Sequence, residues 1–541
     1  MVKELSYDLK ASRGINFDFL RKILKDNADT EYGIKHNFSK IKTIEDYRKY
    51  VPLSDYDDFK QYVDRMYEGE ENILTSYPLE AFAITSGTSG QRKRIPLTKR
   101  SLEVYLQHAD LGEIAILQTC RKEDPLASRL YIGVLEADLM KPDCKEMLLS
   151  EAAHRYSYLS GHKDVREYVG GGDLLLVEDT LNIFYMRLWS AILDENIVLI
   201  EGSYMYDLLQ FFDFFEEHYE EVIFHIRNGF VPDNLKLSDD VKKALLSLPV
   251  SKERLDFVEK ECKKGFDGIA RRIWPKIKLV FGISSKIYEY QNKRLDRYLD
   301  NVPKSFAFFA MSESLVGVPV GYDSFEYKFV LDSAFYEFIP CNEQGDYCGK
   351  VVSIDEVQSG KMYELVLTNL SGFYRYKTGD VIKIVSNFDE KVTFEFMFRK
   401  NLILNLAGEK ISFKDIELVM EKINKVVPGI MEYSIGAMLT GNIGRYFLFL
   451  CLESTKIGLT ECDISKKLDL FICETSCLYD ELRELNLIGR PVVYVYNEQE
   501  YVSIVNKACV GKRHNKPINI LSSKKLQVIL ERQDEHEKDF C

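Results

Sequence analysis

The run Thr85-Ser86-Gly87-Thr88-Ser89-Gly90-Gln91-Arg92-Lys93, followed by Ile95-Pro96-Leu97-Thr98, has the make-up of an anion-gripping loop. Two glycines interleaved with hydroxyl residues let the backbone turn tightly and aim N–H and O–H donors at one phosphate, and Arg92, Lys93 and Arg94 add positive charge just downstream. The apolar Ala81-Phe82-Ala83-Ile84 ahead of it reads as a buried strand delivering the chain into the loop. The loop is not of the Walker type. With Gly87 and Lys93 at that spacing, Arg92 stands where a glycine is needed and Arg94 where a hydroxyl residue is needed. A short Ser/Thr/Gly cluster is also what an ordinary polar turn looks like, so the rest of the chain has to choose between the two readings.

At 541 residues the chain exceeds a single typical core, which predicts two or more domains. Hydrophobic residues at 46% and charged residues at 29% mark an ordinary globular protein. A formal charge of −13 speaks against nucleic acid or an anionic membrane as partner, and it makes the basic cluster at Arg92–Arg94 a local reversal of sign. Eleven cysteines lie without paired metal spacing and read as reduced thiols. Cys473 and Cys477 are expected to share one face of a single helix. The start, Met1-Val2-Lys3-Glu4-Leu5, carries no apolar signal core, and no uninterrupted apolar run of about eighteen residues occurs, so a cytoplasmic location is expected. The chain is expected to be a monomer.

Working outward from the loop, residues 1 to about 80 read as short helices and aromatic-rich loops. A helix is expected over Leu102–Ile116, where apolar residues recur at helical spacing. Asp173–Arg227 reads as helical around one strand, Asn196–Ile200, with a long helix over Tyr206–Ile226. After Trp274-Pro275 strands dominate. Ile277–Phe281 ends at Gly282-Ile283-Ser284, and Phe306–Phe309 ends at Ala310-Met311-Ser312-Glu313. Ligands of open α/β sheets sit at the carboxyl ends of strands, so both endings are candidates to share a cleft with the opening loop. Four antiparallel strands are then expected at Ala334–Ile339, Tyr363–Thr368, Phe373–Lys377 and Val381–Val385.

The fold class is therefore α/β. It consists of a large N-terminal domain of several subdomains with mixed sheets, residues 1–398, and a small mobile α+β domain, residues 399–541, with a hinge near 399–400 and a frayed tail over 531–541. A helix over Phe413–Ile423, a hairpin turning at Gly441-Asn442 and a strand over Val492–Tyr496 are expected in the small domain.

Four further stretches suit a nucleotide. Tyr376-Lys377-Thr378-Gly379-Asp380 ends in a carboxylate that can accept both hydroxyls of a ribose. Ser312-Glu313 offers a hydroxyl and a carboxylate, the oxygen ligands that Mg²⁺ takes while sharing phosphate oxygens. Arg399–Ile411 is an arginine, a strand and a glycine turn across the proposed boundary. Gly511-Lys512-Arg513-His514-Asn515-Lys516-Pro517 is a second basic loop.

In order and spacing these segments resemble the signature motifs of the adenylate-forming superfamily of acyl-CoA synthetases, luciferase and peptide adenylation domains. Thr85–Lys93 looks like its phosphate loop, with Arg92 where a small or apolar residue is usual. Phe309–Glu313 looks like its aromatic-glycine-x-threonine-glutamate motif, and Tyr376–Asp380 like its ribose motif. Arg399–Ile411 resembles its hinge motif, with Asn405 in place of the usual lysine. Within that superfamily the chain is most similar to the auxin-responsive acyl acid amido synthetase family and its bacterial relatives. That resemblance rests on Val51-Pro52-Leu53 to Glu70, Trp274-Pro275, Phe335–Pro340, Leu370–Tyr376 and Asn515-Lys516-Pro517.

The resemblance implies ATP-dependent activation of a carboxylic acid as acyl-adenylate, followed by attack of an amine, that of an amino acid, to give an amide and AMP. It implies that Thr85, Ser86, Gly87, Thr88, Ser89, Gly90 and Lys93 hold the triphosphate. Gly282, Ile283, Ser284, Phe309, Ala310 and Met311 border the adenine, and Tyr376, Asp380 and Arg399 serve the ribose and nucleotide. Glu313, with Ser312, places Mg²⁺, and Lys516 bridges carboxylate and α-phosphate. A coenzyme A ligase and a non-catalytic ligand-binding homologue are the alternatives. The acid is expected to be walled by the helical region Leu102–Ile226. His108, His154 and His162 stand equally as candidate bases for the amine.

Overall fold

A computed structural model describes residues 12–84, 93–109, 111–133, 135–136, 144–159, 167–171, 174, 176–177, 182–235, 237–284, 289–342, 345–388, 391–400, 404, 406–407, 409, 411, 413–440, 443–455, 458–506, 520–521 and 525–531. The loop residues Thr85–Gly90, Asn405, the Gly511–Pro517 loop with Lys516, and the tail from 532 lie outside the described residues.

The short helices expected before residue 80 are present. Among them Tyr56–Tyr67 opens on a capping box in which the Asp55 amide donates to Asp58 Oδ2 at 2.8 Å. Next comes the hairpin that brackets the opening loop, Leu79–Ile84 antiparallel to Arg94–Thr98 with Ile84 opposite Arg94. Glu146–Met147 adds a third, parallel strand on the other side of Leu79–Ile84.

A four-stranded parallel sheet follows, in the order Ser128–Tyr131, Ile197–Tyr204, Leu279–Ile283, Lys304–Ser305. Its strands are buried on both faces, as parallel sheets require. The long helix spans Met205–Asn228. Leu208, Phe211, Phe212, Phe215, Val222 and Ile226 are buried along one stripe, and Gly229 at φ 68° ends the helix in the left-handed conformation. Trp274 is fully buried, its indole N–H donating to the Ala191 carbonyl at 3.0 Å.

Next comes an eight-stranded antiparallel sheet. Its order is Phe309–Met311, Ser314–Pro319, Glu326–Phe329, Lys391–Arg399, Tyr376–Phe388, Met362–Asn369, Ala334–Cys341, Val352–Ser353. Beyond residue 400, a four-stranded sheet in the order Val492–Tyr496, Ile443–Leu452, Ile430–Thr440, Ile520–Leu521 carries the helices Phe413–Val426 and Glu461–Thr475. Among the described residues, its core, from Leu404 to Val493, contains none numbered below 404.

Several expectations need correction. The helix expected over Leu102–Ile116 is two helices, Lys99–Ala109 and Leu111–Glu123. Phe306–Phe309 is not one strand. Ala307 adopts φ 51°, and the chain leaves the parallel sheet at Ser305 to enter the antiparallel sheet at Phe309, a change of direction that no hydrophobic run reveals. Gly282 and Ile283 belong to the strand itself rather than to a loop after it. The two strands expected at Phe373–Lys377 and Val381–Val385 are a single strand, Tyr376–Phe388. Lastly, the helix holding Cys473 stops at Thr475, and Ser476 caps a new helix that starts at Cys477.

Candidate functional site

The ribose-type motif sits inside that continuous strand at an irregularity. Glu364 pairs with Val381 and Val366 with Lys377, so Thr378, Gly379 and Asp380 face Leu365 alone. Such a bulge redirects side chains, and Gly379 at φ 77° supplies the left-handed residue it needs. The Thr378 hydroxyl accepts from the Asp380 amide at 3.1 Å and donates to the Leu365 carbonyl at 2.8 Å, which holds the bulge.

Across the neighbouring pair of strands Asp380 stands opposite Arg399. The guanidinium meets the carboxylate in a two-pronged contact, Nε to Oδ1 at 2.5 Å and Nη2 to Oδ2 at 2.8 Å. Asp380 is 1% exposed. The adjoining carboxylate holds Arg399 firmly protonated.

Glu313 completes the cluster. Burial pushes its carboxyl up while the Arg399 charge draws it back down, and the Tyr376 hydroxyl hydrogen-bonds to it. Asn369 Nδ2 donates to the Glu313 backbone carbonyl at 2.8 Å and fixes that turn. Four sequence-predicted residues, Glu313, Tyr376, Asp380 and Arg399, therefore converge from four strand ends or bulges. Ser312 and Glu313 also open onto a small cavity lined by Leu97, Ser101, Val104 and Tyr105.

The residues expected at the adenine lie as follows. Gly282 presses against the turn after Tyr204: a Cβ there would stand 2.9 Å from the Met205 amide nitrogen and 3.0 Å from the Tyr204 carbonyl carbon. Only glycine lets the two strand ends approach so closely. Ile283 pairs with Tyr204, and the Ser284 hydroxyl is bonded to the Asn292 side chain at 3.0 Å. Phe309 packs among Tyr327, Phe394 and Phe396 with ring centroids 5.4–5.8 Å apart. Ala310 is half-buried and Met311 buried beside it.

The strand end Glu201-Gly202-Ser203-Tyr204, which abuts Gly282, was absent from the sequence-predicted set. It has the same signal, an apolar strand running into glycine and serine, but its strand was expected to stop at Ile200. Of the candidate bases, His108 is buried, with Nε2 3.0 Å from Asp332 Oδ1. His162 and the side chain of His154 lie outside the described residues.

Lys93 is placed at the exit of the opening loop, its ammonium 5.2 Å above the Tyr56 ring centre. On the far side, Ile520 of the small sheet packs against Cys341, Val381 and Phe398. Val381 and Phe398 adjoin Asp380 and Arg399 in the chain.

Comparison with known families matches residues 1–304 to the GH3 family N-terminal domain and residues 327–399 to the GH3 family central domain. The chain belongs to the GH3 family. This GH3 chain is 26% identical over 508 residues to the jasmonoyl–L-amino acid synthetase GH3.5 of Oryza sativa subsp. japonica, covering 87% of this chain and 85% of the relative. It is 26% identical over 469 residues to the indole-3-acetic acid-amido synthetase GH3.5 of Arabidopsis thaliana, covering 80% and 76%. Among solved structures, the GH3.15 acyl acid amido synthetase superposes with a TM-score of 0.80 at 21% identity, covering 97% of this chain and 94% of that one. A 2-hydroxyisobutyryl-CoA ligase in its postadenylation state superposes at 0.53 with 10% identity, covering 96% and 91%. The GH3 chain thus has the fold of adenylate-forming enzymes. Among its described residues no helix is long and apolar enough to cross a membrane.

Proposed function

We propose that this GH3 chain is an AMP-forming acyl acid amido synthetase: it activates a small carboxylic acid with ATP as an acyl-adenylate and transfers the acyl group to the amine of an amino acid. The observation that carries the reading is the convergence of Glu313, Tyr376, Asp380 and Arg399.

A carboxylate is a poor electrophile because its leaving group would be oxide. Attack of the acid's oxygen on the α-phosphorus of ATP expels pyrophosphate and installs AMP as a competent leaving group. Charge rises on the α-phosphate as the acid approaches, so fixed cations lower the barrier. Lys516 is assigned to the bridge between carboxylate and α-phosphate. Thr85 to Gly90 and Lys93 are assigned to the triphosphate. Asp380 and Tyr376 are assigned to the ribose side, and Arg399 both orients Asp380 and adds positive charge. Gly282–Ser284 and Phe309–Met311 are assigned to the adenine. In the second step the amine nitrogen attacks the acyl carbon, loses a proton and releases AMP.

A Mg²⁺ requirement fits the donor set. Ser312 and Glu313 are hard oxygen donors at a strand end, and one carboxylate is what Mg²⁺ takes while keeping phosphate and water oxygens. Bound there, the ion would neutralise triphosphate charge. Residues 1–398 and 399–541 are read as the two moving parts, and the cytoplasm as the compartment.

The test is to incubate the chain with ATP, a panel of carboxylic acids and either mixed amino acids or coenzyme A, and to identify products by mass. Acyl–amino acid conjugates are expected. Acyl-CoA as the sole product would move the chain to the thioester-forming ligases, and no ATP-dependent product would leave a binding protein. Lys516→Ala is expected to lower acid-dependent pyrophosphate exchange by at least about a hundredfold, in line with loss of a preorganised transition-state cation. Near-normal exchange would remove Lys516 from its role.

A further inference from the structure

Lys93 and Tyr376 come from segments nearly three hundred residues apart in the chain. Three consecutive residues touch both. The Ser54 amide donates to the Arg375 carbonyl at 3.0 Å, and the Ser54 carbonyl accepts from the Lys377 amide at 2.9 Å, so Ser54 brackets Tyr376 as a parallel bridge. Asp55 Oδ2 lies 2.9 Å from Lys377 Nζ. The Tyr56 hydroxyl accepts from the Arg94 amide at 2.8 Å and donates to the Arg94 carbonyl at 3.1 Å.

That last contact is unlike an ordinary buried tyrosine. Arg94 begins an edge strand of its sheet, and one hydroxyl satisfies both of its outward backbone groups in place of a neighbouring strand. The same ring lies under the Lys93 ammonium at 5.2 Å, a cation–π contact that narrows the positions a four-carbon stem can sample. On its other side the Tyr56 ring meets Phe373 edge-on at 6.3 Å, and Phe373 stands 5.0 Å from Tyr376.

We infer that Ser54-Asp55-Tyr56 is a positioning brace that sets the distance between Lys93, on the triphosphate side, and the Tyr376–Asp380 bulge, on the ribose side. The inference rests on the adenylation reading above. Tyr56 touches no substrate; it acts through Lys93, by the cation–π contact and by fixing the adjoining Arg94 backbone. By holding the ammonium in place before ATP arrives, the ring removes part of the ordering that binding would otherwise require. The brace therefore matters for a ligand that spans both grips and not for one that occupies the ribose side alone.

ATP and AMP differ in that respect, and their affinities can be measured by calorimetry on the full chain without turnover. Tyr56→Phe keeps the ring and loses the hydroxyl; Tyr56→Leu loses both. ATP affinity is expected to fall about three- to tenfold in Tyr56→Phe and further in Tyr56→Leu, magnitudes typical of one hydrogen bond and one cation–π contact, while AMP affinity stays within about twofold. In a Lys93→Met background, adding Tyr56→Leu is expected to cost less than about twofold more, because the group it positions is gone. Equal losses for ATP and AMP would make Tyr56 a general support of the fold and overturn the brace. So would unchanged ATP affinity, or a full Tyr56→Leu loss in the Lys93→Met background. An unaltered chain that binds no ATP overturns the adenylation reading itself. An unaltered chain that binds ATP beside an indifferent Tyr56 overturns only the brace.

Discussion

At the scale of single residues, the cluster pairs a buried carboxylate, Asp380, with an arginine, Arg399, whose side chain keeps 41% of its exposure. Glu337 illustrates the pattern outside the nucleotide contacts. It is 1% exposed and receives Arg375 Nε at 2.8 Å and Arg48 Nε at 2.9 Å. Arg375 Nη1 donates to the Val51 carbonyl at 2.9 Å, and Arg375 itself holds the left-handed φ of 47°. This triad pins the residue that precedes the ribose motif in a backbone conformation unfavourable for a side chain of its size. Removing the acid leaves the buried Arg375 cation uncompensated. Glu337→Ala is expected to destabilise the fold by about 3–5 kcal/mol, measured by urea unfolding; a loss under about 1 kcal/mol would show that the arginines find other partners.

At the scale of elements, the helix Met205–Asn228 was legible from its apolar stripe, and its start is set by a capping contact in which the Tyr204 amide donates to Asp207 Oδ2 at 2.9 Å. Burial pushes the Asp207 carboxyl from its ordinary 3.8 up to about 7. An acid raised in the folded state contributes stability that is complete below the unfolded value and lost as pH rises through the folded one. The window is therefore about pH 4 to 7. Asp207→Asn, which keeps a capping oxygen, is expected to flatten the fall in stability between pH 5 and pH 8. An identical slope in the variant, read from urea midpoints at the two pH values, would show that Asp207 ionises freely. Elements with a strong period were legible in this way, whereas Phe306–Phe309 was not. Four apolar residues look like one strand, and the sheet change at Ala307 arises from contacts on either side, such as Phe306 stacked on Phe325 at 4.2 Å and Phe308 beside Phe281 at 6.3 Å.

At the scale of the whole molecule, consecutive residues at the proposed hinge are anchored to different strands. Arg399 bonds to Asp380, while Lys400 Nζ lies 3.0 Å from Glu364 Oε2 and 3.6 Å from the centre of the Tyr347 ring. The Tyr206 hydroxyl reaches Glu432 Oε2 of the small sheet at 3.2 Å, a second tie between the parts. If the two half-reactions use different poses of residues 399–541, fixing φ at Lys400 should impair one more than the other. Lys400→Pro is expected to lower amide formation roughly tenfold more than pyrophosphate exchange. Lys400→Ala, which loses the Glu364 contact but keeps backbone freedom, is the control, and equal losses in both assays for the proline variant would count against rotation there.

The amino-acid sequence by itself determined the α/β class, the order of the nucleotide motifs and the family. Those features rest on local chemistry: glycine and hydroxyl residues at fixed offsets, apolar periods of two and 3.6, and a carboxylate placed after a glycine. It also singles out Glu313, Tyr376, Asp380 and Arg399. Tertiary structure alone decided how they meet. The bulge that turns Asp380 toward Arg399 comes from strand register, the approach of Gly282 to Tyr204 from parallel packing, and the link from Lys93 to Tyr376 from the contacts that residues 54–56 make with both of those separate segments. Register and long-range contact are properties of pairs of segments, and a residue-by-residue pattern carries no record of its partner.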